Sequence, residues 1–295
     1  MAHPGRGPQY RQTIRSPLLG VILFGGFLFA PGGIQAQEET FDRLRDRGPG
    51  VPVSMFGTFI EAGEFRFYPY FEYYWDTDAE YSPDEFGYDL DEDFRGKFEG
   101  REWLVWFGYG ISHRLAVEVE AAYHMNASQE KSPDDPSDMP SRLKESGLGD
   151  VEGQIRYLWS QETEARPGIF SYFETVLPLQ DEGTLIGTSD WEFKLGSGLV
   201  RGYRWGTTTF RAAVEYDNAE QKVEVGEIAL EYLKRLSPEW RVFAALEGSQ
   251  DEWELITEAQ WFLRPNLFLK LNNAFGATSK AEDWAPEIGI MFSFR

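Results

Sequence analysis

The stretch RLAVEVEAAYHMNA, residues 114–127, decides the fold. Leu115, Val117, Val119, Ala121, Tyr123 and Met125 occupy every second position, and Ala116, Glu118, Glu120, Ala122 and His124 fill the places between. Successive side chains of a strand point to opposite faces, so a strand separates these two sets completely. A helix would put Glu118 and Val119 on neighbouring faces and mix them. One greasy face and one wet face is the pattern of an antiparallel sheet, or of a barrel wall with lipid outside and water inside.

The same period of two recurs along the chain. Twelve windows carry it: 65–76, 98–109, 114–127, 148–160, 168–179, 190–203, 206–217, 223–236, 239–249, 251–263, 266–277 and 284–294. Each reaches the ~9–11 residues with which a tilted strand crosses a bilayer. Gly110 to His113, and Arg264 with Pro265, are tight turns, whereas 77–97 and 128–147 are long polar connections. Outer-membrane barrels have short periplasmic turns and longer outer loops, and an even strand number leaves both termini in the periplasm. The sequence therefore predicts an all-β chain, a transmembrane antiparallel up-and-down β-barrel of about 12 strands, over residues 64–295. Trp103, Tyr109, Tyr123, Tyr157, Trp159, Trp191, Trp240, Trp253, Trp261 and Trp284 lie near strand ends, where aromatic girdles sit at headgroup level. The last strand places Ile288, Ile290, Phe292 and Phe294 on one face, with Arg295 after the terminal aromatic.

Residues 1–36 read as a secretory signal peptide. Arg6, Arg11 and Arg15 precede an apolar run of 14 residues, Pro17 to Ala30, and a small-residue stretch ends at Ala36. The run falls short of the roughly 20 residues that a spanning helix needs. Residues 37–63, rich in Gly, Pro and charge, read as an irregular periplasmic lead-in. Loss of the three leader arginines takes the net charge from −21 to −24, which argues against a nucleic-acid partner. The chain has no cysteine, so no disulfide supports it in an oxidising compartment. After residue 36 no run of 18 apolar residues occurs, so no helix is expected to span a membrane.

Alternation sends an unusual set of charges inward. The candidate lumen-lining acids are Glu118, Glu120, Asp150, Glu152, Glu174, Glu192, Glu215, Glu227, Glu231, Glu254 and Glu258, with Glu72, Glu102, Glu247 and Glu287 on the same side. The bases are Arg156, Lys194, Arg211, Arg241 and Lys270. Carboxylates in such excess favour passage of positive solutes. The same residues can instead cross-link and fill a barrel that is narrow compared with a porin. Glu118 and Glu120 share one strand face, and Arg156 on the next strand is the candidate base between them.

Some residues carry a family likeness. Gly147, Gly149 and Asp150 open the fourth strand, Tyr109-Gly-Ile-Ser-His-Arg-Leu115 forms a turn, and Pro178 closes the fifth strand. Over residues 50–294 the chain resembles the outer-membrane transporters of the MetA-pathway of phenol degradation family. A glycine expected two residues after Pro178 is missing, and Asp181, Glu182 and Gly183 follow Gln180. The resemblance implies a pore, with aromatic or other hydrophobic nutrients suggested by the family's name.

Other motifs lead nowhere catalytic. Gly147, Gly149 and Asp150 lack the Gly-Lys-Ser/Thr and the helix of a phosphate loop. The glycines instead permit a sharp start to the strand, and Asp150 can accept hydrogen bonds from loop N–H groups. Asp89, Asp91 and Asp93 have calcium-loop spacing, but Phe94 and Gly100 stand where a Gly and a Glu belong. The acidic segment 77–97 is expected to be a solvated loop, or one that gathers divalent cations diffusely near lipopolysaccharide phosphates. His113 sits in a turn beside Ser112, and His124 is read as inward with no serine two residues away. No outward His–Ser pair of a membrane lipase results, so no enzyme and no cofactor is expected.

The function that follows is an outer-membrane channel for small solutes: hydrophobic or aromatic compounds, or cations. The alternative is a non-transporting structural or assembly barrel whose lumen is closed by a salt-bridge network. A lipid-modifying enzyme ranks third. The partners implied are outer-membrane lipid and lipopolysaccharide, the outer-membrane assembly machinery and a small-molecule solute.

Overall fold

The structure, a computed structural model, describes residues 42–180, 185–217, 222–250 and 252–295. The expected signal peptide, 1–36, lies outside them. The described strands are β1 (Val51–Pro52), β2 (Phe59–Ile60), β3 (Phe65–Tyr81), β4 (Phe94–Gly110), β5 (Leu115–Glu130), β6 (Arg142–Gly147), β7 (Val151–Ser160) and β8 (Gly168–Val176). They continue with β9 (Glu192–Tyr203), β10 (Gly206–Asp217), β11 (Lys222–Arg235), β12 (Trp240–Ser249), β13 (Glu252–Arg264), β14 (Leu267–Gly276) and β15 (Ala285–Phe294). Twelve of these, β3, β4, β5 and β7 to β15, pair antiparallel in sequence order. β15 returns to β3, with Phe294 opposite Phe65 and Ile288 opposite Phe71, and closes the ring. Closure leaves no sheet edge in lipid, which is why a barrel is one of only two structures able to span a bilayer. All twelve windows read from the alternation correspond to these strands.

The outer face is apolar. Val119, Leu195, Leu199, Val214, Leu230, Leu246, Leu255 and Ile288 are exposed there. Aromatics gather near both ends. Tyr109, Tyr157, Trp159, Trp240 and Trp261 lie toward the end that carries the chain termini, with Trp240 stacked on Trp261 at 5.8 Å. Tyr203 and Trp205, not anticipated from the sequence, add a second stacked pair at 4.8 Å. Trp103, Tyr123, Trp191, Trp253 and Trp284 lie toward the opposite end, where the long connections are.

Three features depart from the sequence reading. First, the long connections are shorter than expected. β3 runs on to Tyr81 and β4 begins at Phe94, while β6 forms a hairpin extension of β5, with Lys144 opposite Ser128. An apolar cluster of Tyr81, Phe86, Met125, Ala127, Met139, Leu185 and Ile186 holds these extensions together. The Tyr81 hydroxyl donates to Asp135 at 3.0 Å and accepts from the Ser132 N–H at 2.6 Å. The segment 77–97 is therefore a solvated loop only in its middle, where Gly87, Asp89, Asp91, Glu92 and Asp93 are exposed, and is strand at both ends. Arg95 pairs with Asp78 at 2.8 Å and Glu80 at 3.2 Å, and Lys280 lies 3.4 Å from Glu80.

Second, a β-bulge interrupts the founding strand. Leu104 pairs with Ala122 but Trp103 pairs with His124, leaving Tyr123 without an opposite number. One extra residue reverses the alternation beyond it. His124 therefore faces outward beside Trp103, and Met125 turns inward to 9% exposure. Both residues take the face opposite to that expected. The outward histidine meets Asn126 Nδ2 at 3.1 Å, and among the described residues no serine hydroxyl bonds to it.

Third, residues 42–63, expected to be an irregular lead-in, fold into the mouth at the terminal end. Val51, Val53, Phe59 and Ile60 are buried because they pack against inward side chains of the wall. Gly108 makes room: a Cβ there would stand 2.5 Å from Ile60 Cδ1 and 2.4 Å from the Trp106 ring.

Candidate functional site: the barrel interior

The charged inner face divides into a cross-linked sector and an acidic sector. In the first, every base has a carboxylate or ring partner. Glu118 is 4% exposed and lies 2.8 Å from Arg156 Nε, and it accepts the Ser54 N–H at 2.8 Å and the Trp106 indole N–H at 3.2 Å. Arg156 also bonds to Gln154 at 2.8 Å and sits 4.6 Å over the Tyr172 ring. Lys194 bridges Glu174 at 2.9 Å and Glu215 at 3.2 Å. Arg211 meets three acids: Glu227, Glu231 at 2.5 Å and Glu247 at 2.8 Å. Lys270 and Glu258, both fully buried, pair at 3.0 Å, and Lys270 lies 4.9 Å from the Tyr68 ring centre. Charges withdrawn from water this completely persist only when paired and hydrogen-bonded.

The acidic sector runs across neighbouring strands. The register sets Glu287 beside Glu72, and Glu72 beside Glu102, over β15, β3 and β4. Glu120 lies opposite Glu152 over β5 and β7. Glu72, Glu102, Glu120 and Glu152 have no lysine or arginine within 4.0 Å among the described residues. Their neighbours are hydroxyls and amides. Tyr74 donates to Glu102 at 3.5 Å, Tyr68 donates to Glu287, and Asn272 donates to Glu287 at 3.5 Å. Arg156 thus does not stand between Glu118 and Glu120. It lies opposite Ala116, two residues back along β5, and reaches Glu118 only.

Three other candidates sit at or near strand ends. Asp150 lies in the break between β6 and β7 and accepts the Thr188 N–H at 2.7 Å, so it ties two connections together rather than standing on the wall. Burial pushes its carboxyl above the ordinary range, and the Thr188 hydrogen bond opposes that shift. The glycine before it is required by close approach: a Cβ on Gly149 would come 2.7 Å from Ala122 Cβ. Glu192 opens β9 on the face that carries Lys194, and Glu254 lies near the start of β13 on the face of Glu258. Arg241 stands apart from the other bases, near the terminal end, bonded to Gln260 at 2.5 Å.

Several inward groups were not among the sequence candidates. Tyr68, Tyr70 and Tyr74 share the face of Glu72, and Gln154, Gln260 and Asn272 bind the ionised residues. The alternation that selected Glu72 would have selected the tyrosines too, had uncharged residues been counted. Ser54 had no periodic signal at all.

The comparisons with known proteins concern this architecture. Among solved structures the chain is similar to the COG4313 outer membrane channel from Pseudomonas putida F1, with a TM-score of 0.54 and 12% identity over 80% of this chain and 97% of that one. It is also similar to the translocator domain of the autotransporter NalP from Neisseria meningitidis, with a TM-score of 0.51 and 9% identity over 79% and 89% of the two chains. At these identities the likeness is one of fold. No protein-family model and no curated protein matches the sequence. A closed ring of twelve strands, apolar outside and charged inside, is an outer-membrane β-barrel.

Proposed function

We propose that the chain is a passive outer-membrane channel for small solutes. In this reading the path is lined by Glu118, Glu120, Glu152, Arg156, Glu174, Glu192, Lys194, Arg211, Glu215, Glu227, Glu231, Glu254, Glu258 and Lys270. Asp150 stands at its outer rim and Arg241 at its inner one. The observation that carries the proposal is the acidic sector, in which Glu72 stands opposite Glu102 and Glu120 opposite Glu152, with no lysine or arginine within 4.0 Å of these four among the described residues. Such a row is unfavourable in a dry, filled core, because adjacent like charges repel and none is neutralised. Water and mobile cations relieve it, and the same field lowers the barrier to positive solutes. Planar-bilayer recording of the refolded protein in a salt gradient tests this. Discrete conductance with a cation-selective reversal potential is expected, and a silent bilayer would refute it.

One observation favours a second reading, a barrel that does not conduct. Residues 42–63 lie across one mouth, anchored at Ser54 to Glu118 and at Phe56, which stacks on Phe243 at 5.0 Å and whose carbonyl accepts from Gln260. Removing residues 42–60 separates the two. A channel narrowed by this segment gains conductance, whereas a barrel closed by its own network stays silent. The family resemblance supports hydrophobic or aromatic cargo. Lipopolysaccharide and the outer-membrane assembly machinery are the partners that an outer-membrane barrel of this kind calls for.

A further inference from the structure

A cavity of about 580 Å³ opens at the terminal end, between the N-terminal segment and the ends of β3 and β11 to β15. Its lining contains five arginines, Arg47, Arg66, Arg235, Arg241 and Arg295, and one acid, Glu64. That is a local excess of positive charge in a chain of net charge −21. Three of the five are neutralised. Arg47 pairs with Glu162 at 2.6 Å, Arg66 with Glu64 at 2.9 Å, and Arg295 with Glu61 and with Glu64 at 3.6 Å.

Arg235 and Arg241 are different. Neither has a carboxylate within 4.0 Å among the described residues. Arg241 is 4% exposed, and among the described residues its side chain makes one hydrogen bond, from Nε to Gln260. Arg235 donates to the Pro238 carbonyl at 3.2 Å. Both guanidiniums lie against one phenyl ring, Phe262, at 4.7 Å for Arg235 and 5.2 Å for Arg241, with Phe268 5.9 Å from Arg241. The nearby acids are already committed: Asp46 to Lys234 and to the Arg235 backbone N–H, and Glu258 to Lys270. Two like charges beside one ring, one of them withdrawn from water, leave a deficit that ring faces offset only in part.

We propose that this cavity binds a small carboxylate with an apolar body, its oxygens bridging Arg235 and Arg241 and its body against Phe262 and Phe268. A planar guanidinium presents paired N–H donors that match a carboxylate, and the phenyl walls favour an apolar remainder over a fully hydrated inorganic anion. The site stands at the terminal end of the barrel, six residues along β3 and β15 from Glu72 and Glu287, and does not depend on whether the barrel conducts.

The test is calorimetric titration of benzoate into the refolded full-length protein in a non-ionic detergent, with acetate and inorganic phosphate titrated in parallel. Saturable one-to-one binding of benzoate is expected, tighter than acetate or phosphate. Arg235→Gln and Arg241→Gln should each weaken it by about tenfold or more, the loss of one charge-assisted pair. Benzoate should raise the heat-modification midpoint of the parent protein and not that of Arg235→Gln, each read against its own ligand-free midpoint. Absence of saturable benzoate binding would overturn the proposal. So would benzoate affinity unmoved by Arg235→Gln, and phosphate binding tighter than benzoate would overturn the carboxylate assignment.

Discussion

Glu118 and Glu120 stand two residues apart on one face of β5, yet their surroundings give opposite expectations for the same substitution. Glu118→Gln removes the one carboxylate within 4.0 Å of Arg156 among the described residues, and the Arg156 side chain is 1% exposed. It also replaces an acceptor that serves the Ser54 N–H and the Trp106 indole. Unpairing a buried charge costs about 3–5 kcal/mol. Arg156 keeps its bond to Gln154 and its place over Tyr172, so the loss should fall near 3 kcal/mol. Glu120→Gln leaves no base unpaired and eases repulsion from Glu152, so stability should hold or rise. Heat-modifiable gel migration and denaturant titration of the refolded barrel read the first effect, and the reversal potential in a salt gradient reads the second. Glu118→Gln should lower the unfolding midpoint, and Glu120→Gln should lower cation selectivity in a barrel of parental stability. Equal destabilisation by Glu120→Gln and Glu118→Gln, or no effect of Glu118→Gln, would refute this division of the two carboxylates.

Two further outcomes follow. With the short turns in the periplasm, a cysteine at Ser141, exposed in the connection between β5 and β6, should react in whole cells with a bulky thiol reagent and one at Ser112 should not; the reverse pattern would invert the topology. Glu282, in the connection before β15, has its carboxyl pushed up to about 8 by burial and by the neighbouring acids Glu254, Asp76 and Glu102. A raised carboxylate pKa means that the folded state holds the extra proton between about 4.5 and 8, so its share of stability is complete below that window and is lost as pH rises through it. Glu282→Gln should flatten the fall in unfolding midpoint across that window, and an unchanged slope would assign it to other groups.

The strands were legible because lipid outside and water inside impose a strict period of two, and nothing in the compositional noise imitates that over twelve windows. The inner-face charges followed from the same period. What the period does not contain is anything that changes it. The extra residue at Tyr123 looks like any other tyrosine in the sequence, yet it turns His124 and Met125 over. Which acid pairs with which base depends on stagger between strands, so Arg156 could be assigned to the neighbourhood of Glu118 and Glu120 but not to one of them. β6 was hidden because Arg142-Leu-Lys-Glu-Ser-Gly147 is polar on both faces, as a strand projecting beyond the membrane can be. The N-terminal segment was hidden for another reason. Its apolar residues Val51, Val53, Phe59 and Ile60 are too few and too irregularly spaced to make a pattern, and they become intelligible only beside the wall that buries them.

That segment and the cross-linked sector share one node. Glu118 receives Arg156 from the wall and Ser54 from the N-terminal segment at the same time, and the Trp106 indole bonds to both Ser54, at 3.1 Å, and Glu118. Glu118 is therefore one of the anchors of residues 42–63, beside Arg47 on Glu162 and Phe56 on Phe243, and Arg156 is what holds it in place. If the segment left the mouth, Glu118 would lose two donors but keep Arg156, and the wall would survive. If Arg156 were lost, the carboxylate would be buried with only neutral partners, and both wall and segment would be weakened. The coupling is thus unequal in its two directions. Removal of the segment would cost the barrel the apolar contacts of Val51, Val53, Phe59 and Ile60 and the Arg47–Glu162 pair, but not the Glu118–Arg156 pair of the wall.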